Sequence, residues 1–187
     1  MMTRRSLLLC AVLLLVPSGA FAQEATPKPN LMEYNDAAMH FVAPPSFRPV
    51  GQRQISLDDL GEDPQVVAGW VSGDVTRPKR MLIQIQAYEG PLDGFESTYE
   101  QTLRNAFGDA LIKNKEHTSL KNGMPAVYFE MTSGTGFDAA KMFVYCWVDG
   151  IRGVVLSVTA QVGEMDTKTA KQLLSDASAV RYPAGRE

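Results

Sequence analysis

Alternating apolar and polar residues form the strongest pattern in this chain. Within residues 81–88, Ile83 and Ile85 alternate with Gln84 and Gln86. Strict alternation is typical of a β-strand that buries one of its two faces. A short strand is predicted near residue 37, ending at Pro44-Pro45. Further strand-like segments cover residues 64–73, 110–120, 124–134, 141–148, 151–161 and 179–183. The pattern therefore predicts a fold built mainly from strands.

Glycine-containing turns separate several of these segments. Asn122-Gly123 and Asp149-Gly150 each stand between two strand-like segments. Such pairs favour the positive backbone angles of type I′ hairpin turns. Consecutive strands are therefore expected to pair as antiparallel hairpins.

A different period follows the strand-like segment at residues 80–90. Apolar residues recur there at steps of three or four, at Leu92, Phe95, Tyr99, Leu103 and Phe107. This spacing predicts an amphipathic helix with one apolar stripe. We expect Asp93 and Glu96 to form a capping box at its start, and Gly108 to form a left-handed cap at its end.

A second amphipathic helix is predicted over residues 167–177, with Asp166 as its N-terminal cap. The residues expected to face inward are Ala170, Leu173, Leu174 and Ala177. Each amphipathic helix needs a sheet face to cover. The sequence therefore predicts an α+β fold, with a central, mostly antiparallel sheet of about six to seven strands and helices packed on its faces.

The first 22 residues have the pattern of a signal peptide. Arg4 and Arg5 precede an apolar run, and an Ala-Phe-Ala cleavage motif ends at Ala22, before Gln23. The run has about ten residues, too few to span a bilayer, so no transmembrane anchor is expected. We predict a periplasmic or secreted protein with a signal peptide at residues 1–22, a flexible tether at 23–31 and one domain at 32–187.

Charge and cysteine content narrow the function classes. Loss of Arg4 and Arg5 with the signal peptide removes two positive charges and changes the formal net charge from −3 to −5. A mildly acidic chain is poorly suited to nucleic acid, whose phosphates require a basic surface. After cleavage Cys146 is the only cysteine, so an internal disulfide cannot form.

Cys146 could be a nucleophile or a buried core residue. It lies on the strand-like segment 141–148, between Val144 and Val148 on one face. The opposite face is also apolar, which is typical of a central strand covered on both sides. A nucleophilic thiol would need a neighbouring base or cation to lower its pKa, and the flanking sequence supplies neither. We interpret Cys146 as core.

Other catalytic and metal-binding patterns are weak. The chain has no G-x-S-x-G motif, and residues 132–136 resemble one only superficially. His40 and His117 could each act as a base, but both fit a surface or structural role as well. Asp36 with His40, or Glu116 with His117, are the best metal-ligand pairs, and neither has a diagnostic spacing. The sequence therefore predicts no catalytic, cofactor or metal site.

Two features suggest a surface for a protein partner. Phe137 lies in a glycine-containing loop, where its ring is either tucked under the loop or offered to a partner. Arg77, Lys79 and Arg80 form a basic cluster in a hairpin loop, where they either meet an acidic partner or simply solvate the turn. We take these four residues as candidate partner-binding residues.

The order of elements resembles that of the PsbP-like superfamily, which includes photosystem II extrinsic proteins and many bacterial envelope proteins. The likeness spans residues 39–183 and is carried by "HFVAPPSFRPV", "MLIQIQAYEG" leading into the first helix, "NGMPAVYFEM", "WVDGIRGVVLSVTAQ" and "SAVRYP". The resemblance implies an α/β/α sandwich. Members are generally not enzymes; they dock on protein assemblies, stabilise cofactor sites on a partner, or chaperone other proteins.

Three hypotheses about function follow. The first is a monomeric, non-enzymatic accessory protein that binds or helps to assemble an envelope protein, with no cofactor of its own. The second is a carrier of a small molecule, a lipid or a metal ion, with its site between sheet and helix near Tyr99 or Trp70. The third is a hydrolase that depends on His40 or His117.

Overall fold

A computed structural model describes residues 30–36, 39–108, 110–136 and 139–179. The predicted signal peptide, almost all of the predicted tether and Phe137 lie outside these ranges, as do the residues from 180 onward. Among the described residues, no helix is long and apolar enough to cross a membrane.

Two antiparallel sheets and two α-helices make up the described part of the chain. The elements are β1 (Glu33–Asn35), β2 (Met39–Val42), β3 (Arg48–Gln52), β4 (Gln65–Ser72), β5 (Lys79–Ala87), α1 (Leu92–Ala106), β6 (Leu111–Ser119), β7 (Pro125–Ser133), β8 (Ala140–Asp149), β9 (Arg152–Gln161), α2 (Thr167–Leu174) and β10 (Ser178–Ala179). A short 3-10 helix spans Leu57–Asp59. The predicted α+β class is confirmed.

The larger sheet has seven strands in the order β3-β4-β5-β9-β8-β7-β6. Every neighbouring pair is antiparallel. After β5 the chain passes through α1 to the far edge, and the hairpin-linked strands β6 to β9 then return to the centre. The predicted antiparallel hairpins and the predicted six to seven strands are therefore confirmed.

The smaller sheet has the order β1-β2-β10. It joins residues from both ends of the described chain, because Ser178 pairs with His40 and Ala179 with Met39. Its apolar side chains, including Tyr34 and Phe41, pack into the same cluster as α2. The sequence predicted the strand at β2, but it predicted neither β1 nor β3 nor a separate sheet.

The two faces of the large sheet bury different side chains. On β8, Phe143, Tyr145 and Trp147 join the cluster that contains α2 and the small sheet. Val144 and Cys146 join the cluster on the opposite face, beneath α1. We call these the α2 face and the α1 face. Because both are covered, β8 is apolar on both sides, as its sequence predicted.

The predicted capping of α1 is wrong at both ends. Pro91 is the N-cap and makes no side-chain cap bond, and Asp93 lies inside the first turn. Glu96 is instead buried against the sheet and forms an ion pair with Lys115. The helix ends at Ala106, and Gly108 does not have a positive φ. Tertiary pairing of the Glu96 carboxylate therefore replaced the local capping box.

The N-terminal cap of α2 is confirmed, whereas the end of α2 and the predicted turn type differ from the predictions. Asp166 caps α2 by accepting a hydrogen bond of 2.7 Å from the Thr169 N–H. The helix ends at Leu174, three residues before its predicted end, although Ala177 is still buried. At the Asn122-Gly123 turn and at the Asp149-Gly150 turn only the glycine has a positive φ. Since a type I′ turn requires two such residues, the predicted turn type is wrong at both turns.

Candidate functional site

Cys146 is a core residue with no measurable exposure. Burial, and after it the nearby Glu96 carboxylate, raise the pKa of the Cys146 thiol to about 12. Nucleophilic chemistry needs the thiolate, which is negligible at neutral pH with such a pKa. The interpretation of Cys146 as core is confirmed.

The two histidines lie on different sheets. His40 is on β2, and its Nε2 atom is 2.8 Å from Glu33 Oε1. His117 is on the edge strand β6 and is exposed. Asp36, the suggested metal-ligand partner of His40, accepts hydrogen bonds from the Tyr34 hydroxyl and the Met39 N–H. Across the described ranges, no group of three or more His, Cys, Asp or Glu side chains could hold a metal ion.

The predicted basic cluster is divided by the fold. Arg77 lies in the β4–β5 loop, with its Nη1 atom 3.0 Å from Glu164 Oε1. Lys79 and Arg80 are consecutive on β5, so strand alternation directs them to opposite faces of the sheet. Arg80 alone reaches the groove described next. The fourth candidate, Phe137, lies outside the described residues, and its role stays a prediction.

An open groove lies on the α1 face over β3, β4 and β5. The apolar cluster beneath α1 draws its strand residues from β7, β8 and β9, so the helix leaves the other end of this face uncovered. The groove has a volume of about 650 Å³. The residues that line it include Arg48, Val50, Gly51, Arg53, Val66, Gly69, Val71, Val75, Pro78, Arg80 and Leu82. We call it the β3–β5 groove.

Exposed apolar side chains line this groove. Val75 is 89% exposed and Val50 is 74% exposed, the two highest values among the exposed large hydrophobic residues of the described chain. Val66, also in the lining, is 43% exposed. Three exposed valines therefore lie together at one groove, an arrangement that interaction sites often have.

Glycines form the floor of the groove. Gly51 pairs with Gly69, and Gly69 pairs with Leu82, so the three form one row across the sheet. A Cβ at Gly69 would lie 3.2 Å from Leu82 Cδ2, whereas a Cβ at Gly51 would meet nothing within 4 Å. The missing side chains leave a depression above the sheet.

Arginines surround the apolar floor. Arg48, Val71 and Arg80 form the next row across the sheet, so two guanidinium groups flank one valine. Arg53 lies further along the groove, where its Nε donates to the Val66 carbonyl at 2.8 Å. All three arginines are exposed.

The arginines of the groove differ from the others in the described chain. Six arginines are described, and three of them form ion pairs with carboxylates, namely Arg77, Arg104 and Arg152. The remaining three form no such pair with any described residue, and all three line the groove. Within the described ranges, the arginines that lack a carboxylate partner therefore concentrate at this one surface.

Asp74 is the only carboxylate among the described lining residues. Its Oδ1 atom accepts hydrogen bonds from the Thr76 hydroxyl at 2.7 Å and from the Thr76 and Arg77 N–H groups at 2.9 and 2.8 Å. These bonds, the Thr76 hydroxyl first, lower the pKa of Asp74. The carboxylate thus shapes its own turn and leaves the arginines unpaired.

A second concentration of charge surrounds Glu130, on the α2 face. The Lys141 ammonium and the Asn114 amide each lie 2.7 Å from Oε2, the Tyr128 hydroxyl donates to Oε1 at 2.8 Å, and the Thr167 hydroxyl also donates to Oε1. Burial alone would raise the pKa of Glu130, but these four donors, Lys141 foremost, outweigh it and lower the pKa to about 2. Every donor is engaged, so this cluster fastens α2 to the sheet.

Sequence reasoning missed Arg48 and Arg53. Neither belongs to a basic run, and the three arginines are brought together only by strand pairing. A partial signal was available in Val75, an apolar residue within the polar loop Gly73–Pro78.

No protein-family model matches the chain, and no curated protein matches it either. Function therefore has to be inferred from the fold and from the β3–β5 groove.

Proposed function

We propose that this protein is an exported, non-enzymatic accessory protein that binds an envelope protein partner through the β3–β5 groove. The observation that carries the proposal is the coincidence of exposed valines with the arginines that lack carboxylate partners. Arginine is enriched in protein interfaces, where its planar fork binds carboxylates and its stem packs on apolar surface.

The layering of the fold supports a PsbP-like assignment. One helix packs on each face of the central antiparallel sheet, α1 on one side and α2 with the small sheet on the other. An α/β/α sandwich has this arrangement. We therefore propose membership of the PsbP-like superfamily, whose members act mainly by docking on other proteins. Export is proposed from the signal-peptide pattern at residues 1–22.

The chemistry of the groove favours binding over catalysis. Its lining consists mainly of aliphatic side chains, glycines and guanidinium groups. Nucleophilic or acid–base catalysis requires a nucleophile beside a base, or a titratable group held near the reacting atoms. Asp74 is engaged in its own turn, so the groove offers fixed positive charge and apolar contact.

The carrier hypothesis receives less support. Tyr99 and Trp70, beside which a ligand was expected, are both buried. The Tyr99 hydroxyl donates to Gln84 Oε1 at 2.8 Å, and Trp70 Nε1 donates to the Leu31 carbonyl at 2.8 Å. A small ligand in the β3–β5 groove would remain largely in water, because Val50 and Val75 stand exposed at its walls.

In-cell crosslinking tests the proposed function. A C-terminally tagged protein would be crosslinked in the envelope, and the captured proteins identified by mass spectrometry. We expect one recurrent protein, with capture reduced at least about tenfold in the double variant Arg48→Gln/Arg80→Gln. The matched control is Lys113→Gln/Lys168→Gln, which removes two exposed cations elsewhere on the surface and should retain the partner.

Two results would contradict the proposal. One is the absence of any recurrent protein above background. The other is turnover of a hydrolase substrate by purified residues 23–187 that is lost on substitution of a single histidine.

A further inference from the structure

We infer that the β3–β5 groove receives an amphipathic α-helix of the partner, with acidic residues on both borders of its apolar stripe, lying beside α1. This inference rests on the proposed function and specifies the structure and charge of the partner segment. It follows from the width of the groove, the protection of the β3 edge and the placement of the arginines.

The uncovered surface has the dimensions of one helix. Three neighbouring strands span about 10 Å from the first to the third, which is close to the diameter of an α-helix with its side chains. The five residues of β3 extend about 16 Å, the length of about 11 helical residues. The α1 face is therefore one helix short at this end of the sheet.

A partner strand could not readily join the edge of the sheet. Strand addition needs a row of free backbone donors and acceptors along the edge strand. On β3, Pro49 has no N–H, and the register shifts between Pro49 and Gly51, which makes a bulge at Val50. These features protect the edge, so a partner is expected to bind on the face instead.

A second copy of this chain would meet electrostatic repulsion. A symmetric dimer through this face would place two sets of Arg48, Arg53 and Arg80 together. Asp74 is the only carboxylate in the described lining, and it is engaged in its own turn. Charge complementarity therefore requires an acidic occupant.

The positions of the arginines predict where the acidic groups lie. Arg48 and Arg80 flank Val71 in one row across the sheet, and are therefore about 10 Å apart at their backbones. A helix lying along the strands would pass between them, so carboxylates on both sides of its apolar stripe could each meet a guanidinium. Arg53 would meet a third carboxylate near the other end of the groove.

The glycine row predicts the apolar anchor. Gly51 and Gly69 leave a depression between the row of Arg48 and Arg80 and the position of Arg53. A large apolar side chain of the helix would seat there, surrounded by Val50 and Val66. Interface anchors of this kind contribute much of the binding energy when their pocket is desolvated.

Gly51 provides a variant that separates binding from folding. A Cβ at this position would meet no atom within 4 Å, and the backbone there does not have a positive φ. Gly51→Leu should therefore fill the depression without disturbing internal contacts. We expect it to lower partner capture at least about tenfold while the urea midpoint stays close to that of the unmodified chain.

Site-specific photocrosslinking tests the inference in the full chain. p-Benzoylphenylalanine would be placed singly at Val50 and Val66 in the groove, and at Phe107 and Val162, which are exposed outside the groove lining. The crosslinked partner peptide would be sequenced from each position. The expected groove peptide has apolar residues at steps of three or four, with acidic residues on both borders, and is lost in Gly51→Leu.

The outcomes separate this inference from the proposed function. A groove crosslink to a basic or strand-patterned peptide, to lipid, or to another segment of this chain would overturn the acidic helix. Capture only from Phe107 or Val162 would also overturn it, while leaving a protein-binding function in place. Absence of capture from all four positions would overturn both.

Discussion

Both ends of the α1 face are built from antiparallel strands with alternating side chains, but the side chains on this face differ between the two ends. Beneath α1 the face carries large side chains such as Phe129 and Met131, and the helix adds Phe95 and Tyr99. Over the β3–β5 groove it carries valines and glycines, bordered by arginines. Large aromatic side chains lie where α1 covers the sheet, and smaller apolar side chains lie where it does not.

The charged groups around Glu130 differ in a similar way from those in the β3–β5 groove. Around Glu130 each charge has a partner, and the Glu130 carboxylate itself is buried. In the groove, guanidinium groups remain exposed without a carboxylate in the described chain. A charge that is paired within the chain stabilises the fold. Several like charges around an apolar floor, without carboxylate partners in the described chain, are suited to binding an external partner.

The largest effect is expected where α1 packs on the sheet. Phe95 is fully buried against Gly153, and a Cβ at Gly153 would collide with its ring. Phe95→Ala should lower the free energy of unfolding by about 3–5 kcal/mol, measured by urea denaturation. Val50→Ala, the matched truncation in the groove, should change it by less than about 0.5 kcal/mol. Similar losses in both variants would break the comparison between covered and uncovered ends.

The second-largest effect on the free energy of unfolding is expected at the Glu130 cluster. Glu130→Gln leaves Lys141 without its carboxylate and should cost about 3 kcal/mol at pH 7. The pKa of Glu130 is lowered from its ordinary 4.5 to about 2, so its stabilisation is fully present above about pH 4.5. It is lost as the pH falls through about 2.

Urea midpoints between pH 7 and pH 2 test that linkage. The difference between the wild-type chain and Glu130→Gln should shrink toward the acid end. Glu62→Gln, which removes an exposed loop carboxylate, should show no comparable loss at pH 7. A gap between wild type and Glu130→Gln that stays constant down to pH 2 would contradict the assigned network.

A smaller effect is expected at Cys146. Cys146→Ser places a hydroxyl among apolar side chains of the covered end and should cost about 1–2 kcal/mol. The native thiol should also resist a thiol reagent at neutral pH and react only as the chain unfolds. Rapid labelling of the folded protein would show that the covered end is more open than its packing indicates.

The smallest effect on stability is expected in the groove itself. Arg48→Gln/Arg80→Gln removes two exposed cations without internal ion pairs and should change the free energy of unfolding by less than about 0.5 kcal/mol per substitution. Thermal and urea unfolding would measure it beside Lys113→Gln/Lys168→Gln. A loss of several kcal/mol would mean that the groove arginines support the fold, and the distinction between internal and external charges would fail.

Local pattern determined the type of most elements. The alternation in β5, β7, β8 and β9 and the helical period of α1 are properties of neighbouring residues, and they predicted the antiparallel sheet, both helices and the burial of Cys146. The cap of α2 at Asp166 was also local, since its carboxylate needs only the Thr169 N–H. The capping box of α1 failed because the helix begins directly after Pro91, which places Asp93 inside the first turn, and Glu96 pairs with Lys115, distant in sequence.

Only the tertiary structure decided where the candidate site lies. Strand order places Arg48 beside Val71 and Arg80, residues with no shared local pattern. The packing of Phe95 against Gly153 positions α1 over β7 to β9 and leaves uncovered β3, β4 and the part of β5 around Arg80 and Leu82. The sequence by itself predicted both helices and most of the strands, because periodicity reports local burial, but it did not predict β1 or β3. Which arginines lack a carboxylate partner depends on the residues that the fold places beside them. That placement is a property of the assembled sheet and not of the local sequence.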